Sequence, residues 1–201
     1  MDFKCAKHDK RYVEFGGGNK FCTFKIWYLS EVLSRESFVK VQMNFVERLC
    51  FAPQRVELKS LLSGENEELS LLFPDYVEYM QKVLFDVYDV REVLCEKVRS
   101  ILTREGIKAR DFLDVYLICK RHRIRLEDVH DPIVSKTLFM LSFYEKYRKN
   151  LEAKKDIVVS RPFRWGEERG LLLQEIEEKE FFEFLENFRP FLKKVIEEVT
   201  A

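Results

Sequence analysis

Hydrophobic residues recur along this chain with two different periods. From Phe38 to Val46, Val39, Val41, Met43 and Phe45 alternate with Lys40, Gln42 and Asn44, the period of a half-buried strand. Phe21–Tyr28 has the aromatic and β-branched content of a second strand. The polar turn formers of Leu29–Ser37 make an antiparallel pair the simplest arrangement, with Lys40, Gln42 and Asn44 facing solvent or a cleft. Arg55–Leu62 fits a third strand or a short helix, Ser63–Leu69 a polar acidic loop, Pro74–Phe85 a short amphipathic helix and Phe85–Val90 a last strand. The period then changes to that of a helix. Asp89 is placed to cap a helix, with Glu92 three residues on as in a capping box. Val93, Leu94, Val98, Ile101 and Leu102 form its apolar stripe. Ala109–Lys120 makes a second helix, apolar nearly all round. A third begins at Asp131-Pro132, where proline suits the first turn, and continues through Val134, Leu138, Leu141, Tyr144, Tyr147 and Leu151. Ile157–Gly170 reads as a loop. Phe181, Leu185, Phe188, Leu192, Val195 and Val199 mark a final amphipathic helix, bent or broken at Pro190. The pattern predicts an α+β fold, with a strand-rich domain over 1–75 and a helical domain over 76–201.

Composition narrows the chemistry. Among 201 residues, Lys+Arg and Asp+Glu each number 35. A net charge of zero excludes a globally basic nucleic-acid binder and leaves only local patches. The five cysteines are odd in number, scattered and without a CxxC pair, which points to thiols in a reducing cytoplasm. There is no signal peptide and no apolar run near the length of about 18 residues that a membrane span requires. Abundant Lys, Glu and Arg with few Asn and Gln hints at a thermophilic source.

Two charged groups stand out against the apolar pattern. At about 100° per residue, Lys97 falls inside the stripe of the first long helix, between Val93 and Ile101. Asp111 and Asp114 lie on a helix that otherwise buries most of its faces, where an unpaired charge is costly. A Lys–Asp cluster between two packed helices is their simplest joint reading. It admits two interpretations. Lys97 can snorkel past its stripe while Asp111 favours the helix dipole and Asp114 pairs with Arg110 or Arg121. Alternatively, Lys97 holds a phosphate and an aspartate orients or deprotonates a group beside it. Arg161, Arg164, Trp165 and Arg169 form a basic loop that either grips phosphates and stacks a base, or lies on the surface with its Trp capping the core. Gly16-Gly17-Gly18 lacks the GK[ST] ending of a phosphate loop and a clear preceding strand, so it reads as a flexible loop. Cys119, His122 and His130 do not have a zinc spacing, and no metal site is expected there. No GxSxG, HExxH or Walker A sequence is present, which argues against a hydrolase.

EKVRSILTR (Glu96–Arg104) followed by ARDFLDVYLI (Ala109–Ile118) resembles the "EK…R…RDxxD" region of the AbiEii/AbiGii-type nucleotidyltransferase toxins. These are the toxin half of abortive-infection, antiviral toxin–antitoxin systems. FKIWYLS (Phe24–Ser30) and VKVQMNFVER (Val39–Arg48) look like that family's paired central strands, the second usually closer to "IKVEINF". The resemblance implies a polymerase-β-like core followed by a helical domain. It also implies Mg²⁺-dependent transfer of a nucleotide from an NTP to RNA or protein. Lys97, with Arg110, would contact the nucleotide; Asp111 and Asp114 would form the acidic motif, one of them the base. The family's Gly-Ser phosphate cradle and its metal-binding Asp-x-Asp pair precede the strands, and Met1–Asn19 has neither. The third metal carboxylate falls at Gln42, and an amide is a poorer Mg²⁺ ligand. The expectation is an N-terminally truncated or degenerate member, its nucleotidyltransferase sheet incomplete, without a cofactor of its own and catalytically incomplete. Its partners would be an antitoxin, an upstream-encoded chain carrying the missing motifs, tRNA or another RNA, or a second copy covering an open sheet. The alternative is a non-enzymatic binding module for a partner protein or RNA.

Overall fold

A computed structural model describes residues 8–58, 71–75, 82–160, 163–172 and 175–201. The fold is α+β, with small antiparallel sheets and five α-helices among the described residues. It divides into two compact units, residues 1–48 and 49–201.

The first unit is a three-stranded antiparallel sheet in the order β1 (Val13–Gly16), β2 (Phe21–Ser30), β3 (Arg35–Asn44). The β2–β3 pair follows the alternation of the sequence, with Phe24 opposite Val41 and Thr23 opposite Gln42. The triple glycine does have a strand before it, contrary to expectation. β1 is only four residues long, too short for alternation to reveal. Gly17, Gly18 and Asn19 all take positive φ, at 59°, 66° and 65°, and turn the chain from β1 into β2. Glycine and asparagine tolerate that region where other side chains clash. Directly opposed residues share a face. One face therefore carries Val13, Phe15, Cys22, Phe24, Ile26, Val39, Val41 and Met43. Phe15, Val39 and Met43 on it are exposed. The other face carries Thr23, Lys25, Trp27, Phe38, Lys40 and Gln42. Trp27 donates to the Arg11 carbonyl at 2.7 Å and packs its ring 4.8 Å from that of Phe38.

The second unit opens with a two-stranded antiparallel sheet of β4 (Gln54–Leu58) and β5 (Val83–Val87). Arg55 thus starts in a strand and not a helix; residues 59–62, the acidic loop and residues 76–81 lie outside the described residues, and the helix expected over 74–85 is overturned at its end, where Val83, Leu84 and Phe85 form part of β5. β5 begins at Val83 and ends before Asp89, which is committed to capping the next helix. The helices are α1 (Val90–Thr103), α2 (Ala109–His122), α3 (His130–Phe143), α4 (Glu145–Ser160) and α5 (Glu178–Thr200). Asp89 accepts from the Arg91 N–H at 2.8 Å as the N-cap. Its carboxyl is held down at about 2, chiefly by the side-chain hydrogen bond from Arg91. The capping box does not form, because Glu92 turns inward to other partners. The third helical pattern breaks at Tyr144, which is extended (φ −130°, ψ 101°). α4 then runs to Ser160, past the expected start of a loop at Ile157. α5 continues through Pro190 without interruption.

The apolar stripes of these helices converge on one core. Leu94, Val98 and Leu102 of α1, Val115 of α2, Ile133 of α3, and Phe181, Phe188 and Leu192 of α5 are all essentially inaccessible. Cys95 and Cys119 are buried in the same core. Burial, with the charge of Glu92 and the Cys50 thiol beside it, pushes the Cys95 thiol up to about 12; burial and Glu127 push Cys119 up to about 11. In the unfolded chain both would ionise near pH 8.5. As pH rises from about 9 to 11 the unfolded state therefore loses protons that the folded state keeps, and stability falls. Each thiol contributes a slope of up to about 1.4 kcal/mol per pH unit. Urea titrations of a Cys95→Ala protein should show a shallower alkaline decline than the parent; equal slopes would contradict the assignment.

Candidate functional site

α1 and α2 are joined by a short turn in which Gly106 has φ 72°, a backbone state that favours glycine. The turn lays α2 against α1, and three charged side chains from the two helices meet between them. Lys97 Nζ lies 2.5 Å from Asp114 Oδ2 and 3.9 Å from Asp111 Oδ1. Asp111 Oδ2 also accepts from Arg104 at 2.9 Å. Asp111 is the buried centre, its side chain 3% exposed, whereas Lys97, Asp114 and Arg104 are each a third or more exposed. α4 closes the far side. Lys154 is buried and its ammonium donates to the carbonyls of Arg104 and, at 2.9 Å, Gly106. Burial lowers its pKa to about 8; Asp111 opposes that shift and Arg104 adds to it. The arrangement is one buried carboxylate ringed by cations, with a second carboxylate at its open side.

A second ionic cluster lies deeper. Glu92 of α1 and Lys136 of α3 form an ion pair with each side chain 1% exposed. Glu92 Oε2 also accepts the Cys50 and Phe51 N–H groups at 2.8 and 3.0 Å, which fastens the segment before β4 to the helices. Glu96 approaches Lys136 at 3.7 Å and pairs with Arg99, which in turn donates to Thr103 at 2.7 Å.

The sequence-derived Lys97, Asp111 and Asp114 are thus brought together, and Asp114 takes Lys97 as its partner in place of Arg110 or Arg121. Arg110 is exposed and makes no described ion pair. The aromatic loop divides. Trp165 packs its ring 5.1 Å from Phe163 and 5.6 Å from Phe181, as a cap on the core. Arg169 pairs with Glu178 at 2.6 Å and lies 5.8 Å from the Trp165 ring. Arg164 is exposed, and Arg161 lies outside the described residues. Sequence reasoning missed Arg104, Lys154 and the Glu92–Lys136 pair. Lys136 did carry a signal, since it falls within the buried stripe of Ile133, Thr137 and Met140; Lys154 sits in a charged run and carried none.

A family model described as nucleotidyl transferase AbiEii toxin, type IV TA system, matches residues 4–199. The chain belongs to the AbiEii toxin family. No curated protein and no solved structure matches it. AbiEii membership makes the chain a nucleotidyltransferase-like toxin of a type IV toxin–antitoxin system and implies an antitoxin. Chemistry of that kind generally depends on Mg²⁺ and an NTP. The cluster of Lys97, Asp111 and Asp114 does not fit the metal. Mg²⁺ prefers carboxylate oxygens it does not share with a cation, whereas those of Asp111 and Asp114 face Lys97 and Arg104. Among the described residues no group of three or more His, Cys, Asp and Glu could hold an ion. On β3, Gln42 donates to Thr23 Oγ1 at 3.2 Å. Among the same residues no helix is long and apolar enough to cross a membrane.

Proposed function

We propose that this chain is a catalytically incomplete member of the toxin family. Its helical unit holds the lysine and the acidic pair of the nucleotide-handling half, and the metal-binding half is either supplied by a separate chain or lost. The charge balance at Asp111 carries this reading. With Lys97 and Arg104 both on it, and Lys97 also on Asp114, the cluster is neutralised from within and has no carboxylate to spare for a cation. Two-metal phosphoryl transfer needs carboxylates that hold the ions at the transferring phosphate. In the complete system, Lys97 and Arg110 would meet the nucleotide phosphates. Asp114, the more exposed carboxylate, would then be released from Lys97 to orient or deprotonate the acceptor, with Asp111 as the buried anchor. The acceptor would be an RNA such as tRNA, or a protein, and Arg164 and Arg169 would help to seat an RNA.

The test is direct. Incubation of the chain with labelled NTPs, Mg²⁺ and tRNA should leave the tRNA unlabelled, and Gln42→Glu should not rescue transfer. Robust labelling by the unaided chain would sink the proposal. An adjacent reading frame encoding the Gly-Ser and Asp-x-Asp motifs would favour a split enzyme; without one, a non-enzymatic module that binds protein or RNA is favoured. The exposed Phe15, Val39 and Met43 on one sheet face support a second copy as its cover, since exposed contiguous apolar surface tends to mark an interface. Light scattering should then report a dimer or larger, and a monodisperse monomer would count against self-association.

A further inference from the structure

A cavity of about 220 Å³ opens between α2, α4, α5 and the segment beginning at Phe163. Phe112, Ile157, Phe163 and Leu185 supply much of its apolar wall, and Arg164 and Arg189 supply its charge. Its described lining contains no Asp or Glu. Neither arginine has an ion pair or a hydrogen bond with another described residue, although Arg104, Arg125 and Arg169 of the same unit are all paired with carboxylates. Arg189 is half-buried and sits one helical turn beyond Leu185, so both project from the same side of α5.

The geometry points to a binding site for a small aryl anion, an aromatic ring bearing a carboxylate or phosphate on a short linker. A dry cavity of roughly 150 Å³ holds a benzene ring, so the present volume accommodates a ring with a few further atoms. The ring loses apolar surface to Phe112, Phe163 and Leu185, which favours entry without specifying orientation. The two guanidiniums supply the orientation. Each offers a planar fork that matches a carboxylate or a phosphate through two parallel N–H···O bonds. A neutral aromatic would leave both forks unused, and an inorganic anion would leave the apolar wall unused. The site therefore selects molecules that have both parts. This reading is independent of whether Lys97, Asp111 and Asp114 take part in nucleotide transfer; it shares Arg164 with the proposed RNA seat, and the probes below test it without RNA.

Calorimetric titration of the whole chain with four probes tests it: 3-phenylpropanoate, phenyl phosphate, benzyl alcohol and inorganic phosphate. The two aryl anions should bind saturably and at least about tenfold more tightly than either control, the scale of one charge-assisted contact. Their relative affinity shows whether the natural ligand carries a carboxylate or a phosphate. Arg164→Ala and Arg189→Ala should each weaken the anions by about tenfold and leave benzyl alcohol unchanged. Ile157→Trp, at a wall position that is 41% exposed and so tolerant of change, should block all three aromatic probes without lowering thermal stability. Anions that bind no better than benzyl alcohol, or that ignore both arginine replacements, would overturn the assignment. Because Arg164 is exposed, its variant decides the matter even if Arg189→Ala folds poorly.

Discussion

A Glu92→Ala protein should lose about 3–5 kcal/mol of folding stability, the usual cost of removing one member of a buried ion pair. Three groups are harmed together. Lys136 keeps its charge in a site where its side chain is 1% exposed, with Glu96 at 3.7 Å still beside it. The N–H groups of Cys50 and Phe51, both half-buried, lose their shared acceptor, and a hydrogen bond to a charged group contributes about 1.5–3 kcal/mol. Since a domain of ordinary stability has only about 5–15 kcal/mol in hand, the variant should be at the edge of folding at room temperature. Lys136→Met should be strongly destabilising as well, because it strands the carboxylate. The double variant Glu92→Ala, Lys136→Met should be more stable than the sum of the single changes predicts, since neither charge is then left alone. Urea denaturation followed by circular dichroism measures all three. A loss below about 1 kcal/mol for Glu92→Ala would place the pair in a far more hydrated setting than its burial implies.

Phe181→Ala should cost a similar amount, about 3–5 kcal/mol, through the cavity it leaves. Its ring is fully buried and lies 5.2 Å from Tyr116, 5.1 Å from Phe163 and 5.6 Å from Trp165. It therefore joins α2, α5 and the segment after Phe163. The local consequence distinguishes this position from an ordinary core residue: Trp165 loses its support and gains water. In a Trp27→Phe background, where Trp165 is the remaining tryptophan, its emission should move to longer wavelength on Phe181→Ala even in folding buffer. An unchanged emission maximum with the expected stability loss would mean that Phe163 holds Trp165 unaided.

The two predictions differ in how far the sequence foreshadowed them. Phe181 begins the apolar stripe of the last helix, and its burial follows from helical spacing. Glu92 was read as half of a capping box because its offset from Asp89 is three. That reading used only local geometry, and locally it was sound. It failed because two backbone N–H groups and a buried ammonium compete for the same carboxylate, and the neutral cap of an already capped helix offers less. Pro190 shows the opposite limit. The rule that proline disturbs a helix counts one lost hydrogen bond, while Phe188, Phe191, Leu192 and Val195 are buried on either side of it and keep the helix whole.

By itself the sequence determined the β2–β3 pair, the helical stripes of α1, α2 and α5, the Asp89 cap and the meeting of Lys97 with Asp111 and Asp114, while it read α3 and α4 as one helix. Each depends on period or on neighbours within a turn or two, where backbone geometry places side chains without reference to the rest of the chain. Only the tertiary structure decided that Asp111 is shared with Arg104 and overlooked by Lys154, that Glu92 serves Lys136 and two distant N–H groups, and that Arg164 and Arg189 border one cavity. Such choices depend on which long side chains reach the same dry volume. There, desolvation makes each unpaired charge costly enough to override the local preference.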